Sequence, residues 1–316
     1  MMKKINDIIG DAKTIGIAGH VRPDGDCMGS CMSLYNYLKK NRPDLDVRVF
    51  LEFVDKKFNI IENTDQIITT GYDGTKFDLF ISLDTASLDR LGLNLPFYDN
   101  AKRTACIDHH ASNDGYADYN YILPKASSAS EVLYDLLDED LIDKSIAEPM
   151  YMGIAHDSGV FRFQSTTPKT MRIAANMIEK GVNVNMILEE TFFRKTYNQM
   201  MVTAKIQSEA VLALDGKCIY GYCTSEMMEE YGVTTKDLDA VVASIRNVDG
   251  VEVAMFLYQL SEDSYKVSLR SKNYVDVSKI AVENGGGGHV RAAGAEIHGE
   301  LNDIINKLLN RIKQDI

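Results

Sequence analysis

The sequence of 316 residues predicts an α/β fold, in which a parallel sheet with helices on both faces precedes a smaller α+β unit. Strand-like apolar runs alternate with helical segments in the first half, which is typical of a parallel sheet. Several of these runs end in Asp or His. After residue 215 the pattern restarts with two apolar runs joined by a hairpin-like turn, "SEDS". The three observations together indicate two units with different sheets.

The elements of the first half follow from periodicity. β-rich apolar runs predict strands within 14–20, 46–52, 77–84 and 103–110. Apolar residues at helical spacing predict helices over 27–41, 127–140 and 168–181. The last of these has Pro168 in its first turn and Gly181 after its end, the expected asymmetry.

A soft boundary separates the two units. Helical pattern continues over 184–212, so we expect a metal-binding catalytic domain over 1–190, a helical linker over 191–214 and a substrate-binding domain over 215–316. In the last domain the sequence predicts a strand in "GKCIYGYC", a helix over 234–248, strands at 251–260 and 265–272, and a closing helix from residue 301.

Composition limits the classes of function. The net charge of −12 argues against tracking long nucleic acid, because affinity for a polyanion comes from Lys and Arg. Five scattered cysteines form no C-x-x-C pair and predict reduced thiols in the cytoplasm. No apolar stretch approaches the ~18–20 residues of a membrane helix, and the N-terminal segment does not resemble a signal peptide.

Acidic residues and histidines end the apolar runs. The set comprises His20, Asp24, Asp26, Asp84, His109, His110 and Asp157. Asp26 alone is typical of a helix N-cap. Carboxylates that converge from several segments, however, repel one another and need neutralisation, which divalent cations supply. A His/Asp set without Cys suits Mn²⁺ ahead of Zn²⁺ or Mg²⁺, and two ions ~3.5–4 Å apart would activate water against a phosphoryl group.

The motifs "GHVRPDGDCMGS", "LDTAS", "DHH" and "GGGGH" in this order resemble the DHH phosphoesterase superfamily, in its branch with a C-terminal DHHA1 domain. The resemblance extends over nearly the whole chain. The subgroup that it resembles most is the stand-alone nanoRNase and pAp-phosphatase type, which includes pApA and cyclic-di-AMP phosphodiesterases. It implies an active site in the cleft between the DHH and DHHA1 domains.

The resemblance also implies roles. His20 and Asp24 would hold one Mn²⁺, and Asp26, His109 and Asp157 the second. Asp84 would bridge both ions, with a bridging water as nucleophile; Mg²⁺, Co²⁺ or Zn²⁺ are alternative ions. His110 would contact the scissile phosphate or assist proton transfer, and Asp108 would orient an imidazole. The sequence departs from the family at His156, where a small or hydroxyl residue is usual; a structural role for His156 is favoured.

The glycine run of residues 285–288 lies inside a domain, although four glycines usually form a linker. Glycines allow close backbone approach and can direct N–H groups at phosphate oxygens. By resemblance this is the substrate-binding loop, and Arg270 grips the nucleotide end by guanidinium–phosphate pairing. The predicted substrate-binding residues are Arg270, Gly286, Gly287, Gly288, His289 and Arg291. For Arg291, a solvated surface charge is an equal alternative.

The favoured hypothesis is therefore a Mn²⁺-dependent phosphodiesterase that degrades short oligonucleotides such as pApA to mononucleotides, with 3′-phosphatase activity on pAp. Direct hydrolysis of cyclic-di-AMP is the alternative enzyme hypothesis. The glycine loop disfavours an inorganic pyrophosphatase, and the charge disfavours an exonuclease on long strands. A nucleotide-sensing module is the non-enzyme alternative, and it predicts a damaged metal position. A homodimer and the absence of membrane association are further expectations.

Overall fold

The computed structural model describes residues 4–238 and 241–316. The chain divides into two compact units, Met1–Arg194 and Lys195–Ile316. Each unit contains one sheet, as the sequence predicts. Among the described residues, no helix combines the length and the apolar character that crossing a bilayer requires.

The first unit is built on a parallel five-stranded sheet. Its strands are β1 (Thr14–Ala18), β2 (Asp46–Phe50), β3 (Leu79–Leu83), β4 (Thr104–Asp108) and β5 (Tyr119–Ile122). The sheet order is β2-β1-β3-β4-β5, and every pairing is parallel. The four predicted strands are confirmed. The sequence analysis missed β5, because this edge strand has only four residues and none of them is fully buried, so its apolar signal is weak.

The helices of this unit cover both faces of the sheet. They are α1 (Ile5–Ile9), α2 (Gly25–Asn41), α3 (Leu95–Asp99), α4 (Ala129–Leu136), α5 (Lys144–Asp157), α6 (Pro168–Glu179) and α7 (Val184–Leu188). Successive side chains of a strand point to opposite faces. Accordingly, Ile81 of β3 lies in the large core with α2, α4 and α5, whereas Phe80 packs with Phe97 of α3 in a second cluster.

Helix α5 was not predicted. Its sequence, "KSIAEPMYMGIAHD", is buried almost continuously from Ile146 to Ala155, so it lacks the polar face that makes helical periodicity visible. Asp157 is the last residue of this helix. The predicted caps of α6 are confirmed, with Pro168 in the first turn and Gly181 beyond the end at a φ of 95°.

The second unit contains a mixed six-stranded sheet in the order β10-β11-β9-β8-β7-β6. The strands are β6 (Val211–Ala213), β7 (Cys218–Cys223), β8 (Val253–Ser261), β9 (Ser264–Ser271), β10 (Gly287–His289) and β11 (Ala292–His298). Only the β7–β8 pairing is parallel. The predicted hairpin is confirmed as β8 and β9.

Two groups of helices pack on this sheet. The helices are α8 (Tyr197–Glu209), α9 (Ser225–Tyr231), α10 (Val241–Ile245), α11 (Val277–Val282) and α12 (Leu301–Ile312). One face carries α11 and α12, while α8 and α10 cover β7 and β8 on the other face. Helix α8 lies within the segment predicted as a linker, and its Val202 and Ile206 are buried in this core.

Three predicted segments differ in detail. The end of the helical pattern at 184–212 is strand β6, paired antiparallel with β7. The helix predicted over 234–248 appears as a 3₁₀ turn, Thr235–Asp237, and as α10; residues 239 and 240 of that prediction lie outside the described part. Part of the glycine run forms β10, because glycines can pair closely with the small residues of β11.

Candidate metal centre

The predicted polar residues of the first unit meet at the carboxyl ends of three neighbouring strands. His20 follows β1, Asp84 directly follows β3, and β4 ends in Asp108, with His109 and His110 next. Strands β1 and β3 are neighbours although β2 lies between them in sequence, so the chain reverses direction across the sheet here. Open α/β sheets bind ligands at such a switch point.

One group of three consists of His20, Asp24 and Asp84. His20 Nε2 lies 3.4 Å from Asp84 Oδ2 and 3.7 Å from Asp24 Oδ1. The other ring nitrogen, Nδ1, lies 2.8 Å from the carbonyl oxygen of Val21. A carbonyl only accepts, so Nδ1–H donates to it, and Nε2 is the ring nitrogen that faces the two carboxylates.

A second group of three consists of Asp26, His109 and Asp157, whose ligand atoms all lie within 4.8 Å of one another. His109 Nε2 lies 3.1 Å from Asp157 Oδ2 and 3.4 Å from Asp84 Oδ1. Asp84 therefore faces His20 with one carboxylate oxygen and His109 with the other. This carboxylate joins the two groups.

Asp24 and Asp26 have different local roles from those suggested by sequence. Asp24, not Asp26, is the N-cap of α2: its Oδ1 accepts from the backbone N–H groups of Asp26 and Cys27 at 3.0 and 3.1 Å. The alternative in which Asp26 is the N-cap, which applied to this residue taken alone, does not hold, because Asp26 lies inside the first turn of α2.

Asp26 is instead held by another helix. Its carboxylate is fully buried and accepts from the backbone N–H groups of Ala129 (2.6 Å) and Ser130 (3.0 Å), at the start of α4. A helix N-terminus stabilises negative charge. Gly153 of α5 leaves room for this carboxylate because it has no side chain, and a Cβ there would lie 2.7 Å from Asp26 Oδ1. Two helices thus fix the position of this acid.

The backbone of Asp84 has a φ of 52°, in the left-handed region that few residues other than glycine adopt. Its N–H donates to Ile107 O on β4 at 3.1 Å, which anchors the turn. Non-glycine residues in this region are concentrated at functional sites, where the surrounding structure holds them. The turn places both carboxylate oxygens between His20 and His109.

His110 lies beside these groups and is held by Asp108. Its Nδ1 lies 2.8 Å from Oδ1 of Asp108, a fully buried carboxylate, so Nδ1–H donates to that oxygen. The ring can also join Asp84 and His109 in a third group with ligand atoms within 4.8 Å. The pairing that orients this imidazole is the one expected for Asp108.

His156 makes packing contacts outside this centre. Its Nε2–H donates to Thr191 Oγ1 (2.9 Å), which in turn donates to Ile187 O (2.6 Å). The ring packs against Phe58, Phe192 and Gly25, where a Cβ would clash with it. Burial lowers its pKa to about 4, so the ring is neutral at pH 7.

With no cation bound, the pKa values of the acidic and histidine side chains at this centre are shifted far from their ordinary values. Burial and the charge of Asp84 raise the pKa of Asp26 to about 7, and burial together with Asp26 raises the pKa of Asp157 well above its usual range. Burial opposes protonation of His109, yet the carboxylates of Asp84 and Asp157 raise its pKa to about 10. When no cation is bound, protons on these side chains therefore supply the positive charge that neutralises the buried carboxylates.

The residues fit a metal ion. Ligands about 2.1 Å from one ion lie about 3–3.5 Å from each other, and the ring-nitrogen to carboxylate distances here are 3.1, 3.4, 3.4 and 3.7 Å. The donors are imidazole nitrogens and carboxylate oxygens, a set that suits Mn²⁺, Zn²⁺ or Fe²⁺ rather than a soft thiophilic ion. The cluster can bind metal and activate water against a phosphoryl group.

The polar residues predicted in the second unit lie on a different kind of surface. His289 on β10 is opposite Ala292 on β11, and Ala292 is opposite Arg270 on β9. Cross-strand partners share a face, so Arg270 and His289 lie on one face in one row, two strands apart. On the same face, Arg270 is opposite Ala254 of β8, which α8 and α10 cover. Strands β9 and β11, in contrast, carry polar or small residues on this face.

The other predicted residues of this region have local roles. Arg291 Nη1 donates to Val275 O at 2.7 Å and so braces the loop before α11. A Cβ at Gly286 would lie 2.1 Å from Gly294 O, and one at Gly288 would lie 2.5 Å from Ala292 O. Gly287 alone of the three has open space at that position.

Two residues at the metal centre were missed by the sequence analysis. Arg90 Nη2 lies 3.3 Å from His20 Nδ1, and Asn113 Nδ2 lies 2.7 Å from Asp108 Oδ2. Their only sequence signal is position: Arg90 comes six residues after Asp84, and Asn113 three residues after His110. Such spacing has no periodicity that would indicate a shared site.

Comparison with known families agrees with this geometry. The chain matches the DHH family, N-terminal domain, over residues 14–154 and the DHHA1 domain over residues 215–315. It is 31% identical to the bifunctional oligoribonuclease and PAP phosphatase NrnA of Thermus thermophilus, over 96% of this chain and 90% of that protein. This chain belongs to the DHH family.

Other relatives extend the comparison. The Bacillus subtilis protein of the same name is 28% identical over 90% of both chains. A solved exopolyphosphatase-related protein from Bacteroides fragilis has a TM-score of 0.89 at 23% identity and covers 98% of this chain and 95% of its own, which shows a common fold.

The family membership identifies the chain as an enzyme of the phosphoesterase type, and the non-enzyme alternative, a nucleotide-sensing module, is not supported. DHH phosphoesterases depend on metal, and the cluster around Asp84, in the part of the chain that the structure describes, could hold it.

Proposed function

We propose that this protein is a Mn²⁺-dependent phosphodiesterase that hydrolyses very short oligonucleotides to mononucleotides and also removes the 3′-phosphate of pAp. The single observation that carries the proposal is Asp84, whose two carboxylate oxygens face His20 and His109 at 3.4 Å each. A carboxylate in this position can bridge two ions, which is the arrangement that phosphoryl hydrolysis uses. The names of the Thermus and Bacillus relatives support the substrate class.

The proposed ligands follow the two groups of three. His20 and Asp24 would hold one ion, Asp26, His109 and Asp157 would hold the other, and Asp84 would contact both. When bound, the two ions supply Lewis acidity to a phosphoryl oxygen and lower the pKa of water. The backbone carbonyl at Val21 keeps Nε2 of His20 available as a ligand atom, and the N-terminus of α4 keeps Asp26 in place.

The remaining residues of the centre handle the substrate. His110, oriented by Asp108, presents Nε2, which can contact the scissile phosphate or exchange a proton with it. In the second unit, Arg270 and His289 share one row of one face and provide cationic and hydrogen-bonding groups for a phosphate. The open position at Gly287 allows close approach of the same ligand to the backbone.

Local positive charge is sufficient for a short substrate. The chain carries a net charge of −12, so a long polyanion would be repelled outside the sites that bind its end. We therefore propose a preference for two to a few nucleotides. A cytoplasmic location belongs to the same proposal, supported by five cysteines that all stand as free, buried thiols. A homodimer remains an expectation from the family resemblance.

The test is turnover with Mn²⁺ on four substrates in parallel: pApA, a longer oligo-A, pAp and cyclic-di-AMP. We expect fast release of AMP from pApA, slower cleavage as the oligonucleotide lengthens, and release of phosphate from pAp. Protein treated with EDTA and then supplied again with Mn²⁺ is the control for metal dependence. Preferential hydrolysis of cyclic-di-AMP would show that the cyclic dinucleotide, rather than pApA, is the substrate. No turnover of any of the four would refute the proposal.

A further inference from the structure

Asn113 is a buried amide that no part of the proposed chemistry uses. It is only 8% exposed and lies beside the metal centre. Its Nδ2 donates to Asp108 Oδ2 at 2.7 Å and to the backbone carbonyl oxygen of Thr85 at 3.1 Å. One side chain therefore connects the turn that follows Asp84 with the acid that orients His110.

The hydrogen bonds of Asn113 distinguish the oxygen of its side-chain amide from the nitrogen. Asn113 Oδ1 accepts from the backbone N–H of Gly115 at 2.9 Å, so this end must be the carbonyl oxygen and the other end the NH₂ group. An NH₂ group has two hydrogens that diverge and can serve two acceptors. A carboxylate of the same shape has none, and a hydroxyl has one.

Asp108 depends on this donor. Its carboxylate is fully buried, with Oδ1 accepting from His110 Nδ1–H and Oδ2 accepting from Asn113. Loss of the second donor would leave a buried carboxylate oxygen without that hydrogen bond, at a cost in free energy, and would free the carboxylate plane to rotate. Because the imidazole follows the carboxylate, the His110 ring would then lose its fixed orientation.

The turn at Thr85 depends on Asn113 much less. The carbonyl oxygen of Thr85 also accepts from the hydroxyl of Tyr116 at 2.9 Å, and Thr85 Oγ1 donates to Leu83 O at 2.9 Å. Removing Asn113 leaves these contacts in place. The effect of Asn113 on Asp108 can thus be separated from its effect on the turn.

We propose that Asn113 is a positioning residue that acts through Asp108 to hold the His110 ring in its Nδ1–H form, with Nε2 directed at the substrate phosphate. The inference rests on the proposed function, since His110 has its role there. Outer hydrogen-bond partners of site histidines typically contribute about 10–100-fold to activity. The expected loss for Asn113 is in that range.

The kinetic test compares three variants on pApA with Mn²⁺. Asn113→Leu keeps the branched shape and removes the donor, and Asn113→Ala removes the whole group. Tyr116→Phe is the matched control, because it removes the other donor to Thr85 O and leaves Asp108 untouched. We expect both Asn113 variants to lower kcat about 10–100-fold with KM nearly unchanged, and Tyr116→Phe to have a far smaller effect on kcat.

The second readout needs no turnover. Histidine ¹⁵N spectra of the metal-free and the Mg²⁺-loaded protein report the tautomer of each of the six histidines, and a His110→Asn variant assigns the His110 signals. We expect the Nδ1–H form of His110 in the wild type and in Tyr116→Phe, and a mixture of tautomers in both Asn113 variants.

The outcomes separate the two proposals. A wild-type tautomer pattern in a folded Asn113 variant would overturn the positioning role, whether or not kcat falls, and so would a kcat within about twofold of wild type, far below the loss expected for such partners. If Asn113→Ala does not fold, Asn113→Leu, which has a similar shape, decides. Absence of wild-type turnover on all substrates would count against the proposed function alone, since the spectra still test Asn113.

Discussion

The metal centre of the first unit and the Arg270 face of the second unit are both polar, but they are built in opposite ways. At the metal centre, the carboxylates of Asp26, Asp84 and Asp108 are almost fully buried and held by backbone N–H groups or by other side chains. On the second sheet, Arg270 is half-buried, His289 is exposed, and strand register places both in one row of one face.

The difference indicates a division of labour. Buried acids of like charge are costly unless a cation or protons neutralise them, so the first region must bind positive charge to be satisfied. Cationic residues at a surface carry little cost and can bind and release an anion reversibly. We therefore expect changes in the first region to act on turnover and metal content, and changes in the second region to act on KM.

The largest expected effect comes from the carboxylate that joins the two groups. Asp84→Asn removes the charge shared by both proposed ions, and we expect kcat to fall by about 10³-fold or more, since metal-derived stabilisation amounts to several kcal/mol. Metal analysis of the purified protein should show reduced occupancy. Asp44→Asn, at an exposed carboxylate paired with Arg42, is the control and should keep full activity. Wild-type turnover in Asp84→Asn would refute the metal assignment.

The next effect is on metal affinity as a function of pH. In the metal-free protein, the pKa of His109 is raised to about 10 and that of Asp26 to about 7, so both groups hold protons that the metal must displace near neutrality. Raised pKa values give an affinity that increases with pH, by about tenfold per pH unit for each proton displaced. Calorimetric titration with Mn²⁺ at pH 6, 7 and 8 measures this slope.

Buffers with different ionisation enthalpies provide the internal control, because they report the number of protons released. An affinity that stays constant from pH 6 to pH 8 would show that the histidine and carboxylate cluster is not the binding site.

A smaller effect is expected on the second sheet. Arg270→Ala removes a guanidinium that we expect to pair with a substrate phosphate, worth about 1.5–3 kcal/mol, and KM for pApA should increase by roughly tenfold or more with kcat retained. Lys266→Ala is the matched control, since Lys266 has the same charge on the same face of β9, four residues earlier. Steady-state kinetics of both variants decide. Equal KM values for Arg270→Ala and wild type would remove Arg270 from the substrate site.

The smallest effect separates neighbouring glycines. A Cβ at Gly287 meets open space, whereas at Gly286 it meets the backbone of β11 at 2.1 Å. We expect Gly287→Ala to keep the thermal stability of the wild type but to raise KM severalfold, because a methyl group would obstruct a phosphate at the backbone. Gly286→Ala should lower the melting temperature, since overpacking costs about 1–3 kcal/mol. A Gly287→Ala variant with unchanged KM would place the substrate elsewhere.

Much of the fold could be predicted from local patterns. The first four strands of the parallel sheet are apolar runs, helix α6 has one apolar and one polar face, and the hairpin of β8 and β9 shows a short turn between two β-rich runs. Helix α5 and strand β5 could not be predicted in the same way. Helix α5 is buried on nearly all sides and so has no polar face, and β5 is a short edge strand with no fully buried position.

The candidate site shows the same limit. His20, Asp84 and His109 could be placed together because each follows a strand, and parallel strands bring their carboxyl ends to one edge of the sheet. Asn113 and Arg90 lie on loops, and only the three-dimensional path of those loops brings them to Asp108 and His20.

The sequence by itself determined the fold class, the family and the residue types of the metal cluster, because these depend on periodicity and on motifs read along the chain. Only the tertiary structure decided that Asp24 caps α2, that the N-terminus of α4 holds Asp26, and that Asp84 turns one oxygen to each histidine. The physical reason is that hydrogen-bond direction and the placement of a buried charge depend on contacts between residues far apart in the chain.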